Sequence, residues 1–201
     1  MKEEKQYDRR YFERWYRSGQ AVVKPEAVQR KVRLALAAAE YVLARPVRSV
    51  LDVGCGEAPW RGVLRRMRPG LRYVGVDSSS YVVRRYGVRR GIRAGSLTTL
   101  ERLRLGGPFD LVVCADVLEY VPTPDLESGL EQMRRLCRGL AYIEAFTSAD
   151  DMIGDRTGWH HRSERKYREL FAAAGFIACG LHCWVPRGGA HRVSGLERCP
   201  E

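Results

Sequence analysis

The chain has 201 residues, 45% hydrophobic and 29% charged, with a formal net charge of +11. These proportions suit one globular domain with a full core and exclude wholesale disorder. No apolar run approaches the ~20 residues of a membrane helix, and the charged start Met1-Lys2-Glu3-Glu4-Lys5 leads into no secretory signal, so a cytoplasmic protein without a membrane partner is expected. Residues 7–18 read as an aromatic helix: Tyr7, Tyr11 and Trp15 recur at i, i+4 and i+8, Phe12 and Tyr16 lie beside them, and Gly19 stops the run. Pro25 opens a longer helix to about Ala44, with Val28, Val32, Leu36, Ala39 and Val42–Leu43 at helical period. Ser49 to Val53 is a short apolar strand carrying Asp52 near its end. The turn Gly54-Cys55-Gly56 follows, and a helix restarts with Trp60, Val63, Leu64 and Met67.

Tyr73 to Asp77 is a second apolar strand ending on a carboxylate. Ser78-Ser79-Ser80 caps a helix expected to reach Tyr86, and Gly91 to Ser96 reads as a third strand with its turn. Gly106-Gly107-Pro108 breaks the chain before a fourth strand, Phe109 to Cys114. Pro122 and Pro124 open a helix with Leu126, Leu130, Met133 and Leu136–Cys137 on its buried side, and Leu140 to Phe146 is the fifth strand. Residues 147–162 are polar and irregular, a loop length that suits ligand binding. A helix from Ser163 to Ala174 ends at Gly175. Phe176 to Val185 and His191 to Glu197 read as strands of a closing antiparallel hairpin turning at Pro186-Arg187-Gly188-Gly189.

The first strand, its glycine turn and the following helix form a unit whose free N–H groups can approach a ligand. Asp77 lies 21 residues beyond Gly56, where an acidic residue can accept the two hydroxyls of a ribose. The third glycine of a dinucleotide fingerprint is replaced by Pro59, which argues against a nicotinamide cofactor. In these respects the sequence resembles the class I S-adenosylmethionine-dependent methyltransferases. Val50 to Gly56 is similar to their first motif, Val74 to Asp77 to their second, and Phe109 to Tyr120 to their fourth. The resemblance implies a single α/β, Rossmann-like three-layer sandwich with a seven-stranded, mostly parallel sheet in the order 3-2-1-4-5-7-6, the last strand antiparallel. One domain over 1–201 is expected, with 1–46 a helical cap segment and 47–201 the cofactor-binding core. The resemblance also implies S-adenosyl-L-methionine as cofactor, held by Asp52, Gly54, Cys55, Gly56, Asp77, Ser78, the backbone at Ser96–Leu97 and Cys114–Ala115, and Tyr11 from the aromatic helix.

A sulfonium methyl is already activated, so positioning and water exclusion supply most of the rate, and a base is needed only for a protonated acceptor. Glu144, Asp150, Asp151, His160 and His161 lie at or in the 147–162 segment, and Glu119 and Tyr120 follow the fourth strand. His160, His161 and Glu119 are the catalytic candidates, with His160 first because Trp159 beside it can wall an apolar pocket. The acceptor site is expected between the aromatic helix and the 147–162 loop. Cys179, His182 and Cys183 would put two thiols on one strand face and the imidazole on the other, and no Cys-x-x-Cys pair completes a zinc set, so no metal is expected. The six cysteines sit mostly in apolar segments, as buried reduced thiols do.

Five lysines leave thirty arginines among the 35 basic residues, a skew that reflects genome composition as readily as polyanion binding. The lead reading is methyl transfer to oxygen or nitrogen of a small molecule. An RNA or protein methyltransferase using the arginine-rich surface comes second, because Cys114-Ala115-Asp116-Val117 lacks the Asp/Asn-Pro-Pro-Tyr form associated with base amines. A non-catalytic cofactor-binding module comes third. Oligomeric state is left open.

Overall fold

The computed structural model describes residues 5–19, 22–151 and 154–199. Asp8 caps α1 (Arg9–Arg17) by accepting the Tyr11 N–H at 2.9 Å, and Pro25 occupies the first turn of α2 (Pro25–Leu43). Then follow β1 (Ser49–Val53), α3 (Pro59–Met67), β2 (Arg72–Asp77), α4 (Ser80–Arg90) and β3 (Ile92–Ala94). After a 3-10 segment at Leu97–Leu103 come β4 (Phe109–Ala115), α5 (Thr123–Leu136), β5 (Cys137–Glu144), α6 (Glu164–Ala173), β6 (Phe176–Ala178) and β7 (Cys183–Pro186).

The seven strands form one sheet in the order β3-β2-β1-β4-β5-β7-β6. Only β7 runs against the others, pairing antiparallel with β5 and β6. This is the expected sandwich and strand order. Side chains alternate across the sheet with period two. Leu111 and Val113 of β4 pack with Val32, Ala35 and Leu36 of α2 and Val63 and Leu64 of α3, while Val112 and Cys114 face Leu126, Leu130 and Met133 of α5 and Leu170 and Phe171 of α6. β1 is buried throughout, as a central parallel strand covered on both faces must be. Each fully buried Val or Leu contributes about 1.5–3 kcal/mol, and these two layers hold the strand ends in place.

Several boundaries differ from the sequence expectation. α4 continues past Tyr86 to Arg90, because Gly91, at φ +69°, is the stop. β5 runs from Cys137 to Glu144 rather than from Leu140 to Phe146, because α5 passes into it with no loop and Cys137 both ends the helix and pairs with Phe109. The hairpin is displaced. Both its strands fall on the stretch read as one, Phe176 to Val185, with β7 ending one residue beyond it at Pro186, and the turn lies at 179–182, where Gly180, Leu181 and His182 take φ of +77°, +50° and +63°. Cys179 donates to the Cys183 carbonyl at 2.8 Å, so the thiols and imidazole flank a turn rather than opposite strand faces. The expected second strand, His191 to Glu197, is no strand: Arg187–Arg192 form a 3-10 turn, since Pro186 brings no N–H to extend the ladder.

Candidate active site

The parallel strands β1, β2 and β4 end on one edge, and the glycine turn after β1 curls over it. Gly54 and Gly56 take φ of +68° and +50°. A Cβ on Gly54 would overlap the Val117 side chain, and one on Gly56 the Tyr16 hydroxyl, so only glycine serves at either place. Asp77 fixes the turn: its Oδ2 accepts the Gly56 N–H at 2.7 Å and its Oδ1 the Ser79 N–H at 2.8 Å. Burial pushes the Asp77 carboxyl up from the usual range, and the two backbone donors oppose that. A carboxylate offers about four acceptor positions, so Asp77 retains capacity for a ligand diol. Asp52 is turned inward, where its Oδ2 accepts the Tyr73 hydroxyl at 2.6 Å; burial raises its pKa to about 7.

Above this turn lies α1. Phe12 is buried among Cys55, Ala58, Val82 and Ile92, with Tyr7, Tyr11, Tyr16 and Tyr81 packed around it. Arg17 pairs with Glu57 at 2.6 Å, and Ser79 Oγ donates to the Tyr7 carbonyl at 2.5 Å. The aromatic stripe thus docks the helix and roofs the glycine turn at once.

At the top of β4, Asp116 takes φ +59° and Glu119 is fully buried. Neither Glu119 carboxyl oxygen has a hydrogen-bond partner among the described residues, and burial pushes its pKa up to about 8. Its carbonyl accepts the His160 N–H at 2.8 Å, which ties the 147–162 loop to the β4 end. Beside it, Lys31 of α2 pairs with Glu144 at 2.5 Å and lies 3.8 Å from Asp116, with His182 Nε2 4.0 Å from Glu144. Among the described residues no group of His, Cys, Asp and Glu suits a metal ion, and no helix is long and apolar enough to cross a membrane.

The methyltransferase-domain family matches residues 24–189. The chain belongs to that family. This bears out the methyltransferase resemblance, which implies S-adenosylmethionine as the donor. A ubiquinone biosynthesis O-methyltransferase from Hahella chejuensis (strain KCTC 2396) is 37% identical over 89 residues, covering 40% of this chain and 36% of that protein. The chain therefore spans little more than a third of the length of that curated relative. Among solved structures, magnesium protoporphyrin IX methyltransferase from Synechocystis PCC 6803 with bound S-adenosylhomocysteine superposes with a TM-score of 0.62 at 21% identity, covering 86% of this chain and 87% of that one. A methyltransferase from Archaeoglobus fulgidus gives 0.61 at 19%, covering 82% and 72%.

Within this methyltransferase domain, Asp52, Gly54, Cys55, Gly56, Asp77 and Ser78 gather at the ends of β1 and β2, and Cys114 and Ala115 at the end of β4. Cys55 points inward against Gly75, and Ser78 is exposed. Ser96 opens the 3-10 segment, while the Leu97 side chain packs into the core against Gly129 of α5. Tyr11 is half-buried on the inner side of α1. Of the catalytic candidates, Glu119 lies inside the domain, whereas the His160 and His161 side chains are exposed, His161 against Trp159 with ring centroids 4.0 Å apart. Sequence reasoning missed Lys5, Lys31 and Asp155, which come from segments far apart in the chain and are marked by no local spacing, and it weighed His182 only as a zinc ligand. A cavity of about 390 Å³ between α2 and α3, lined by Val23, Pro25, Pro59 and Arg66 among others, contains none of the expected site residues.

Proposed function

We propose that this protein transfers the methyl group of S-adenosylmethionine to an oxygen on a small molecule. The observation that carries the reading is the joint between Asp77 and Gly56, which presents a buried acceptor and a glycine turn side by side at the open edge of the sheet. Asp77 receives the ribose hydroxyls, the backbone of Gly54 to Gly56 admits the amino-acid end of the donor, and α1 excludes water. When bound, S-adenosylmethionine supplies a methyl carbon already activated toward a nucleophile. Oxygen is preferred over nitrogen because the curated relative is named an O-methyltransferase. A small molecule is preferred over RNA because the relatives named for an acceptor, of ubiquinone biosynthesis and magnesium protoporphyrin IX, act on organic molecules.

The acceptor is assigned to the space between α1 and the 147–162 loop, above β4 and β5. His160 is the first candidate to take its proton, with His161 and Glu119 next. Incubation with methyl-labelled donor and a panel of phenols, carboxylic acids, amines and total RNA tests the reading. Label on a hydroxyl or carboxyl compound is the expected result; label on RNA alone, or on nothing while the donor binds, would replace it with one of the other two readings.

A further inference from the structure

The side chain of Lys5, just ahead of α1, turns inward. Its Nζ is removed from solvent, 3.3 Å from the centroid of the Tyr120 ring, 5.2 Å from Tyr7 and 5.5 Å from Tyr11. Asp155 Oδ2 lies 2.9 Å away. Lysine ordinarily buries its methylene stem and leaves the ammonium in water. Here the charged end is the buried part, met by three ring faces and one carboxylate. Aromatic faces around a compact cation make up the standard receptor for alkylammonium groups. These walls come from three places in the sequence: the approach to α1, the end of β4 and the 147–162 loop.

Two features argue against a simple surface anchor. Glu119 stands beside the cage with both carboxyl oxygens unpartnered among the described residues, so the pocket has polar capacity that Lys5 leaves unused. Burial raises the Glu119 pKa to about 8, which favours the protonated form, while Asp155 is the carboxylate that pairs with the cation at 2.9 Å. The cage also adjoins the donor side, since the Tyr7 carbonyl is held by Ser79, two residues past Asp77.

We propose that Tyr7, Tyr11, Tyr120 and Asp155 form a binding site for an alkyl onium ion, and that Lys5 fills it as a tethered pseudo-ligand while the N-terminal segment is docked. The onium chemistry has two sources under the methyltransferase reading, on which this inference rests for its natural ligand: the sulfonium of the donor, or the ammonium of an amine-bearing acceptor. The cage itself is testable without any methyl chemistry.

The probe is tetramethylammonium chloride, titrated by calorimetry into the full chain, Lys5→Ala and the double variant Lys5→Ala/Tyr120→Leu. The site predicts at least about ten-fold tighter binding to Lys5→Ala than to the unaltered chain, and loss of that gain in the double variant. Titrating S-adenosylmethionine and S-adenosylhomocysteine into the same proteins separates the sources. If the sulfonium is the occupant, Lys5→Ala strengthens the charged donor and leaves the neutral thioether unchanged. If an acceptor ammonium is the occupant, the two change alike and tetramethylammonium binds with either present. A measurement on the unaltered chain needs no substitution. The rate of Lys5 acylation, read by mass spectrometry against Lys24 and Lys166, should rise several-fold with tetramethylammonium. A folded Lys5→Ala protein that gains no affinity for the probe, or Lys5 acylation indifferent to it, overturns the proposal. Tetramethylammonium binding without any S-adenosylmethionine binding would instead sink the methyltransferase reading and leave the cage standing.

Discussion

β4 carries a buried carboxylate near its start and a buried carboxyl just past its end, and the two are treated in opposite ways. Asp110, 1% exposed, accepts both guanidinium nitrogens of Arg45 at 3.0 and 2.7 Å and the Arg48 N–H at 2.8 Å, with Arg138 at 3.3 Å. Burial alone would raise its pKa, but these partners prevail and hold it below the usual range. Glu119, 0% exposed, has no such partners and is pushed up to about 8. The lower edge of the sheet spends its polar groups on closing the fold; the upper edge keeps one in reserve. An unmet polar group inside a stable domain is tolerated where chemistry or binding uses it.

Breaking the lower edge should have the largest effect. Asp110→Ala strands the Arg45 charge and the Arg48 N–H, and should cost about 3 kcal/mol by urea unfolding, near the lower bound for a buried pair because Arg45 is partly exposed. Donor affinity of the folded fraction should stay the same. On the upper edge, Asp77→Ala should weaken S-adenosylmethionine by about ten- to a hundred-fold, or ~1.5–3 kcal/mol by calorimetry. Unchanged affinity would end the ribose assignment.

Glu119→Gln sharpens the comparison through pH. The folded pKa of Glu119, about 8, lies above the 4.5 of the free side chain, so the folded state binds this proton more tightly than the unfolded chain does. The native protein should therefore lose stability relative to the variant as pH rises from about 5 towards 8, by about 1 kcal/mol per pH unit, with the difference level below and above that window. Parallel stability curves across that range would show that the carboxyl has found a partner. The smallest effect is expected for His160→Ala. Its imidazole is exposed, so water can replace it in part, and turnover should fall by less than about ten-fold, recovering as pH is raised, with donor affinity intact. Unchanged turnover on a protonated acceptor would move the base to His161 or Glu119.

The sheet frame was legible in the sequence because its strands and turns are written in short stretches, whereas the lower-edge network joins Arg45 and Arg48 to Asp110 across some sixty residues and is marked by no local pattern. Ser49 to Gly56 and Tyr73 to Asp77 carry strand, turn and carboxylate within a few residues, whereas the sheet order follows from the resemblance to the methyltransferases, since right-handed crossovers alone leave several orders open. The hairpin was misplaced because Gly188-Gly189 is the stronger local turn signal, whereas the actual turn uses Leu181 and His182 in a left-handed conformation that their sequence does not announce. The acceptor side was legible only as a loop and an aromatic stripe. Lys5 meets Asp155, and Lys31 meets Glu144, only after the sheet has brought their segments together.

The joint between α5 and β5 has no slack. Cys137 is the last cap of one element and the first rung of the next, so a residue inserted there would either unwind the helix or shift β5 against β4 by one place, turning Leu140 and Tyr142 from one core face to the other. Among the described residues from Ala145 to Ser163, at the opposite end of β5, none belongs to a helix or strand that an insertion would put out of register. Length can vary at one edge of this sheet and scarcely at the other, so a lineage carrying this fold can reshape what sits over β4 and β5 while the frame beneath stays the same size.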